Sequence, residues 1–577
     1  MISRILRTPA ISLTFVVLSL IGSGFSQRPP TQEALANPGA PYLIFSTYLG
    51  GVMRCTSCAD GRTFAQNVSS DARGNIYVTG ATESSTLPVR NAWQPRPAPH
   101  SGMSAFVAKY DAAGELLWLT YLGGDNKSMG NGIAAMPDGG VAVAGVTSSD
   151  KNGPFPTKNA FQDAYQGNGD YFVTVFDANG NLLYSTYLGG SDAEGGDLFV
   201  DDTGGGNIIA VDARGLIYVT GFTSWSGTHI GDRFPVTSNA IQPDPAGPSD
   251  AFLSIFDVTK IGADSMIYSS FLGGHRNDIG HSVTANAAGS LITVAGYTDS
   301  DDFPTTKNGY RRHPPPPGFT SNGFVAQFRS SKPGDPSSEY SAVYATYLGA
   351  DSSEARDDVY GITQDANGII LATGRTESKN FPMNGPEAPS IYNSAHYLKP
   401  HASGDEPYLV KIDPSLDGEA SLIYSTFLGG ASPDGLWGTF ATSVGVDANG
   451  AAYVGGQTSA PGVEYVYSPN PVEAPMPLPY TDDALFTSDQ GDGDAILMQI
   501  SPDGRRLGYS TFLGGKGGDR LYGLTVDPDG NVIVTGLTAS SDFPVKNPAE
   551  PWPGNVGEQN AFVTKFGFAS SAGGETH

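Results

Sequence analysis

The sequence predicts an all-β chain folded as a seven-bladed β-propeller with four antiparallel strands per blade. Three observations predict it. The segment Tyr-Ser-Thr-Tyr-Leu-Gly-Gly at Tyr184 to Gly190 returns in close copies ending at Gly51, Gly124, Gly274, Gly430 and Gly515, and as Tyr-Leu-Gly-Ala ending at Ala350. Between copies, the same four strand-like runs recur in one order, and a repeat of this kind outranks the multi-domain prior that 577 residues would otherwise suggest. Finally, the first ordered run, Tyr42 to Leu49, is of the fourth type with no partners before it, and the last, Ala561 to Phe566, is of the third type with none after it. Pairing those two completes a seventh sheet and closes the ring, whereas an open stack would leave a lone strand and a bare edge.

The first unit sets the pattern. Phe64 to Asp71 is a strand that ends in the turn Asp71-Ala72-Arg73-Gly74, and Asn75 to Gly80 is the second strand. A long Pro-containing loop leads to Ala105–Tyr110, the third; Asp111-Ala112-Ala113-Gly114 then turns the chain into Glu115 to Leu122, the fourth. Short β-branched and aromatic runs between Asp and Gly turns are hairpin grammar, with no helical period. Runs such as Leu116-Leu117-Trp118-Leu119 are apolar on both faces, as sheets packed between two neighbours require. Third-type strands begin at Ala105, Tyr171, Ala251, Gly323, Pro407, Ala495 and Ala561, matching seven fourth-type strands.

The recurrent small residues have local explanations. Gly74, Gly139, Gly215, Gly289, Gly368, Gly450 and Gly530 share a turn slot that calls for a left-handed backbone. Asp71, Asp212, Asp365, Asp447 and Asp527 open that turn, where a carboxylate accepts backbone N–H bonds, so calcium is not needed to explain them. Gly80, Gly145, Gly221, Gly296, Gly374, Gly456 and Gly536 are expected to end the second strand where backbones approach closely. The long loops share Thr-x-Ser, then Phe-Pro, then often Asn-Ala-x-Gln; the Phe is expected to pin each loop to its blade.

Composition narrows location and partners. A formal charge of -26 disfavours nucleic acid and anionic membrane, both of which need a basic patch. Residues 1–26 read as a signal peptide, with Arg4 and Arg7 before the apolar run Ile11 to Ile21. Residues 27–41 read as a disordered linker, 42–568 as the propeller and 569–577 as a disordered tail. A secreted or cell-surface monomer without a transmembrane span in the mature chain is expected. In that setting Cys55 and Cys58, the only cysteines, read first as a local disulfide.

In a propeller, the second-to-third loops and the loops between blades emerge on one face, and here these are the long ones. Partner binding is therefore expected on that face, at residues that break the repeat. His275, Arg276, Asp278 and His281 suit a metal, or a base beside an anion-holding Arg. Arg356, Asp357 and Asp358 follow Ala350, and Asp278, Asp358 and Asp519 read as equivalent positions able to ring the channel mouth and hold Ca²⁺. Solvated acids or strand-start caps are the alternative. Trp437, and Trp225 with His229, suit either sugar stacking or packing.

The Tyr-Ser-Thr-Tyr-Leu-Gly-Gly block, the Asp-x-x-Gly-Asn-x-Tyr-Val-Thr-Gly block at Asp71 to Gly80 and the following Phe-Pro resemble the SBBP repeats, bacterial repeats named for the seven-bladed β-propeller. Ala350 in place of Gly, and a sixth unit without Phe-Pro, depart from the pattern. The resemblance implies an exported or surface-associated protein and brings no catalytic residues. No Gly-x-Ser-x-Gly, His-Glu-x-x-His or phosphate-cradling loop occurs. The expected function is a scaffold that binds extracellular protein or glycan; the rival is a polysaccharide lyase or hydrolase using His281 and Asp358 at the channel mouth.

Overall fold

The computed structural model describes residues 40–51, 61–195, 206–225, 233–313, 321–349, 356–378, 381–382, 405–430, 438–460, 462–464, 478–549 and 559–568. Cys55, Cys58, His229, Trp437, the leader and the tail lie outside the described residues.

Seven four-stranded antiparallel sheets form the ring. Closure follows the predicted route: Tyr42–Leu49 pairs with Asn560–Gly567, from Tyr42 opposite Gly567 to Leu49 opposite Ala561. The last sheet therefore takes its outer strand from the start of the chain and the other three from its end. Both faces of most strands are buried; in Leu182–Leu188 only Leu183 is exposed. Apolar clusters fill the gaps between neighbouring blades, as with Tyr77, Trp118, Val143, Phe172 and Phe176 between the first two.

The turn glycines do what their slot demands, with φ between +61° and +86° from Gly74 to Gly530. The turn aspartates cap as expected: Asp71 Oδ1 accepts from the amides of Arg73 (2.8 Å) and Asn75 (3.0 Å). Strand limits differ from the sequence reading at two places. The second strand runs past its glycine, as Ile76–Thr82, because Thr82 still pairs with Thr63 on one side and Ser104 on the other. Third strands also start earlier, at a polar residue: Ser104, Asp170, Asp250 (within Ser249–Phe256), Asn322, Glu406, Asp494 and Asn560 face the threonine near the end of the second strand.

The Phe-Pro loops are fastened in a common way. Phe155 stacks on Phe172 with centroids 4.4 Å apart, and its amide donates to Tyr187 Oη at 2.7 Å. Tyr187 in turn donates to the Ser149 carbonyl at 2.9 Å. Tyr347 repeats this with Phe303 and Ser300. The second tyrosine of the repeated Tyr-Ser-Thr-Tyr-Leu-Gly-Gly segment is thus a clamp on the long loop.

Candidate functional site at the channel mouth

The innermost strand of each blade faces the central channel, and six of the seven carry a bulge at one register. The extra residue is Gln66, Asn131, His281, Tyr360, Thr442 or Tyr522. Opposite each bulge stands the recurrent glycine of the second strand. A Cβ on Gly456 would sit 1.8 Å from the Phe440 carbonyl oxygen, and one on Gly536 1.9 Å from that of Arg520. A side chain at this slot would abolish the bulge, which leaves one extra residue, of a type that differs from blade to blade, outside the ladder.

The third blade differs: its inner strand is shortened to Ile209–Val211. The segment before it crosses the channel. Gly206 donates to the Thr442 carbonyl at 3.2 Å and accepts from Asn67 Nδ2 at 3.1 Å. A Cβ on Gly206 (φ +87°) would meet the carbonyl oxygens of His281 at 2.2 Å and Tyr360 at 2.3 Å, so only a bare backbone fits here. Asn207 continues the tie, receiving from the Ile133 amide and donating to the Ile133 carbonyl.

Between the fourth and fifth blades the repeat-breaking residues gather. His281 stacks on Tyr360, with centroids 5.3 Å apart, lies 5.4 Å from Tyr297, and places Nδ1 3.0 Å from the Val359 carbonyl. Burial holds its imidazole below the ordinary value, against the pull of Asp358. Asp358 accepts from Arg375 Nε at 2.8 Å, and Arg375 also reaches Asp405 at 3.5 Å while lying over the rings of Tyr360 and Phe440. Burial pulls the guanidinium down, but Tyr360, Asp358 and Asp405 more than offset it and hold it above its ordinary value. Burial raises Asp405 and Glu377 above the usual carboxylate range. The group is a half-buried, internally paired charge cluster in which His281 and Arg375 are partly shielded and Asp358 is buried.

The other predicted residues are dispersed. Asp278 and His281 belong to the inner strand Asp278–Ala285, not to the loop before it. The equivalence of Asp278, Asp358 and Asp519 needs correction: Asp357, not Asp358, shares their place, since Asp278, Asp357 and Asp519 face Thr298, Thr376 and Thr538. A one-residue slip reverses the side of the strand on which a residue lies. These three are buried strand-start caps rather than solvated acids: Asp278 accepts from Gly274 N (2.8 Å) and Ser300 Oγ (2.9 Å), and Asp519 from Gly515 N (2.8 Å) and Ser540 Oγ (2.6 Å). The Ser of Thr-x-Ser thereby clips the long loop to the inner strand.

His275 lies with Asp301 (3.3 Å) and Asp302 (2.9 Å) on the surface, and its amide donates to Asp302. Lys516 and Asp542 repeat that amide contact at the corresponding place in the last blade, which makes it a loop cap. Arg276 bonds through its backbone to Ser300, and Arg356 is exposed. Trp225 has Arg233 5.0 Å over its ring, and its indole N–H is buried, so the ring is not presented flat for stacking. Missed from sequence were Arg375, Asp405, Tyr360 and the acids Asp170, Asp250 and Asp494. For the last three a signal existed: an acid directly before the apolar third strand.

No protein-family model matches the chain. The regulatory protein FlaEY of Caulobacter vibrioides is 28% identical over 188 residues, which are 33% of this chain and 17% of that protein. This chain thus aligns with less than a fifth of that relative's length. Among solved structures, the Pan2 WD40 domain of Neurospora crassa gives a TM-score of 0.39 at 9% identity, covering 92% of this chain and 98% of that one. An acylaminoacyl peptidase of Pyrococcus horikoshii gives 0.36 at 9% identity, covering 84% and 50%. Likeness at this level says nothing about activity. Among the described residues, no helix is long and apolar enough to cross a membrane.

Proposed function

We propose that the chain is an exported propeller of the SBBP repeat type that serves as a binding scaffold for extracellular protein or glycan through its long-loop face. The observation that carries this reading is the asymmetry of the ring. Second strands end and third strands begin at the end of the ring where the long connections lie, while the opposite end is built from tight turns such as Asp71 to Gly74 and Asp177 to Gly180. Long connections on a rigid ring supply a broad, variable surface. The leader-like residues 1–26 and the acidic balance support export and solubility. The packing of His281 against Tyr297 and Tyr360, with Nδ1 at the Val359 carbonyl, and the engagement of Asp358 by Arg375 argue against the lyase or hydrolase reading.

The test is a screen of the purified chain against glycan arrays and extracellular protein fractions, with charge reversals on both ends. Arg233→Glu and Lys516→Glu alter the long-loop face, and Arg505→Glu alters the turn face. Saturable binding weakened by the first two and untouched by the third is expected. Turnover of a polysaccharide lost in His281→Ala would overturn the reading.

A further inference from the structure

At Gly123, Gly273, Gly349 and Gly514 the glycine after the fourth strand lies between two polar side chains, one at the start of its own third strand and one that opens the next inner strand. Around Gly123 these are Ser104 and Ser128, with hydroxyl oxygens 3.8 and 3.1 Å from where a Cβ would stand. At two junctions both are aspartates. A Cβ on Gly273 would stand 2.2 Å from Asp250 Oδ1 and 2.7 Å from Asp278 Oδ2; one on Gly514 would stand 2.2 Å from Asp494 Oδ1 and 2.6 Å from Asp519 Oδ2. Only because the glycine has no side chain can the two carboxylates close in on the same point.

All four acids are at most 1% exposed. In each, Oδ2 is satisfied: Ala246 and Gly247 amides donate to Asp250, and the Gln490 amide to Asp494, while Asp278 and Asp519 hold the clips described above. In Asp250 and Asp494, Oδ1 is buried, accepts no hydrogen bond, and is the atom that faces the glycine. Hydrogen bonds from Thr298 and Thr538 favour the charged forms of Asp278 and Asp519, so the uncompensated atoms are those of Asp250 and Asp494. Buried acceptors left bare at the same place in two blades call for an occupant. We propose that each Asp–Asp junction, Asp250 with Asp278 and Asp494 with Asp519, binds a divalent cation of the calcium class.

The chemistry selects that class. The acids and the adjacent Ser300 and Ser540 offer oxygen, with no imidazole or thiolate among the described groups that make up the junction, and hard cations take such sets; Ca²⁺ tolerates the irregular geometry of inter-blade sites better than Mg²⁺. Without an ion, burial pushes Asp278 up to about 7 and Asp494 up to about 8, a penalty a bound cation removes. The competing occupants are a buried water or a proton shared by the pair.

The full chain, stripped with chelator, is titrated with CaCl₂ by calorimetry and melted with and without the ion. Two equivalents lost singly in Asp250→Asn and in Asp494→Asn, and together in the double variant, are expected, with a calcium-dependent rise in melting temperature that shrinks in step. Gly273→Ala, which forces the two carboxylates apart without removing charge, should lose the same equivalent as Asp250→Asn. Absence of calcium heat in the wild type overturns the proposal, as does unchanged stoichiometry in the Asn variants. A melting temperature raised by Asn equally with and without calcium also overturns it and assigns the junction to the shared proton.

Discussion

Lys565 donates to Asp527 at 2.9 Å, with side chains 4% and 0% exposed. The same ammonium lies 3.2 Å from the Ala112 carbonyl. Lys565 is on the strand that closes the ring, Asp527 opens a turn in the last blade, and Ala112 belongs to the first. One cation therefore ties the closing sheet to the neighbour it must pack against. Replacing it with Met leaves Asp527 buried without its counterion, at about 3–5 kcal/mol. Urea unfolding of Lys565→Met against wild type measures this, and a loss below 1 kcal/mol would refute the account.

The tyrosine clamp gives a second expectation. Tyr187→Phe strips the Phe155 amide of its acceptor and the Ser149 carbonyl of its donor, costing about 1–3 kcal/mol. Hydrogen exchange at the Phe155 amide should accelerate while the rest of the blade keeps its protection. Burial, which pushes the Tyr187 hydroxyl up to about 12, keeps the clamp protonated throughout the working range of the experiment.

Two glycines separate backbone conformation from space. Gly530 has φ +80° and nothing within 4 Å of a Cβ, so Gly530→Ala pays only the left-handed strain, about 1–2 kcal/mol. Gly456→Ala drives a methyl to 1.8 Å from the Phe440 carbonyl oxygen, and the bulge must break. The second variant should melt well below the first, or fail to accumulate as folded protein.

His281 supplies a pH dependence. Its folded pKa lies below that of the unfolded chain, so unfolding takes up a proton as pH falls below about 6.5, and stability is lost in that direction. The groups facing it are Asp358, Arg375, Tyr360 and Tyr297. Between pH 7 and 5.5, wild type should lose stability more steeply than His281→Gln, by at most about 1.4 kcal/mol per pH unit. Parallel curves would show that the imidazole titrates alike in the folded and unfolded chain and refute the account, as would a wild type that gains stability as pH falls.

The ring was legible because its determinants are local and repeated: turn glycines at positive φ, capping aspartates such as Asp71, and strands apolar on both faces. The site was less so. Asp357 and Asp358 are adjacent acids, and only the pairing register says which meets the Thr-x-Ser clip and which meets Arg375. The bulges are set by inter-strand hydrogen bonding, so the role of Gly456 shows in sequence as a close approach but not as the bulge at Thr442 that it faces. Gly206 meets Asn67 and Thr442, residues far away along the chain, and no local pattern announces such contacts.

That crossing segment changes how the ring should come apart. Repeat arrays whose units touch only their neighbours can fray one unit at a time. Here a spoke at the hub joins the third blade directly to the first, fourth, fifth and sixth, so losing one of them loosens the rest. The chain is built to yield all at once.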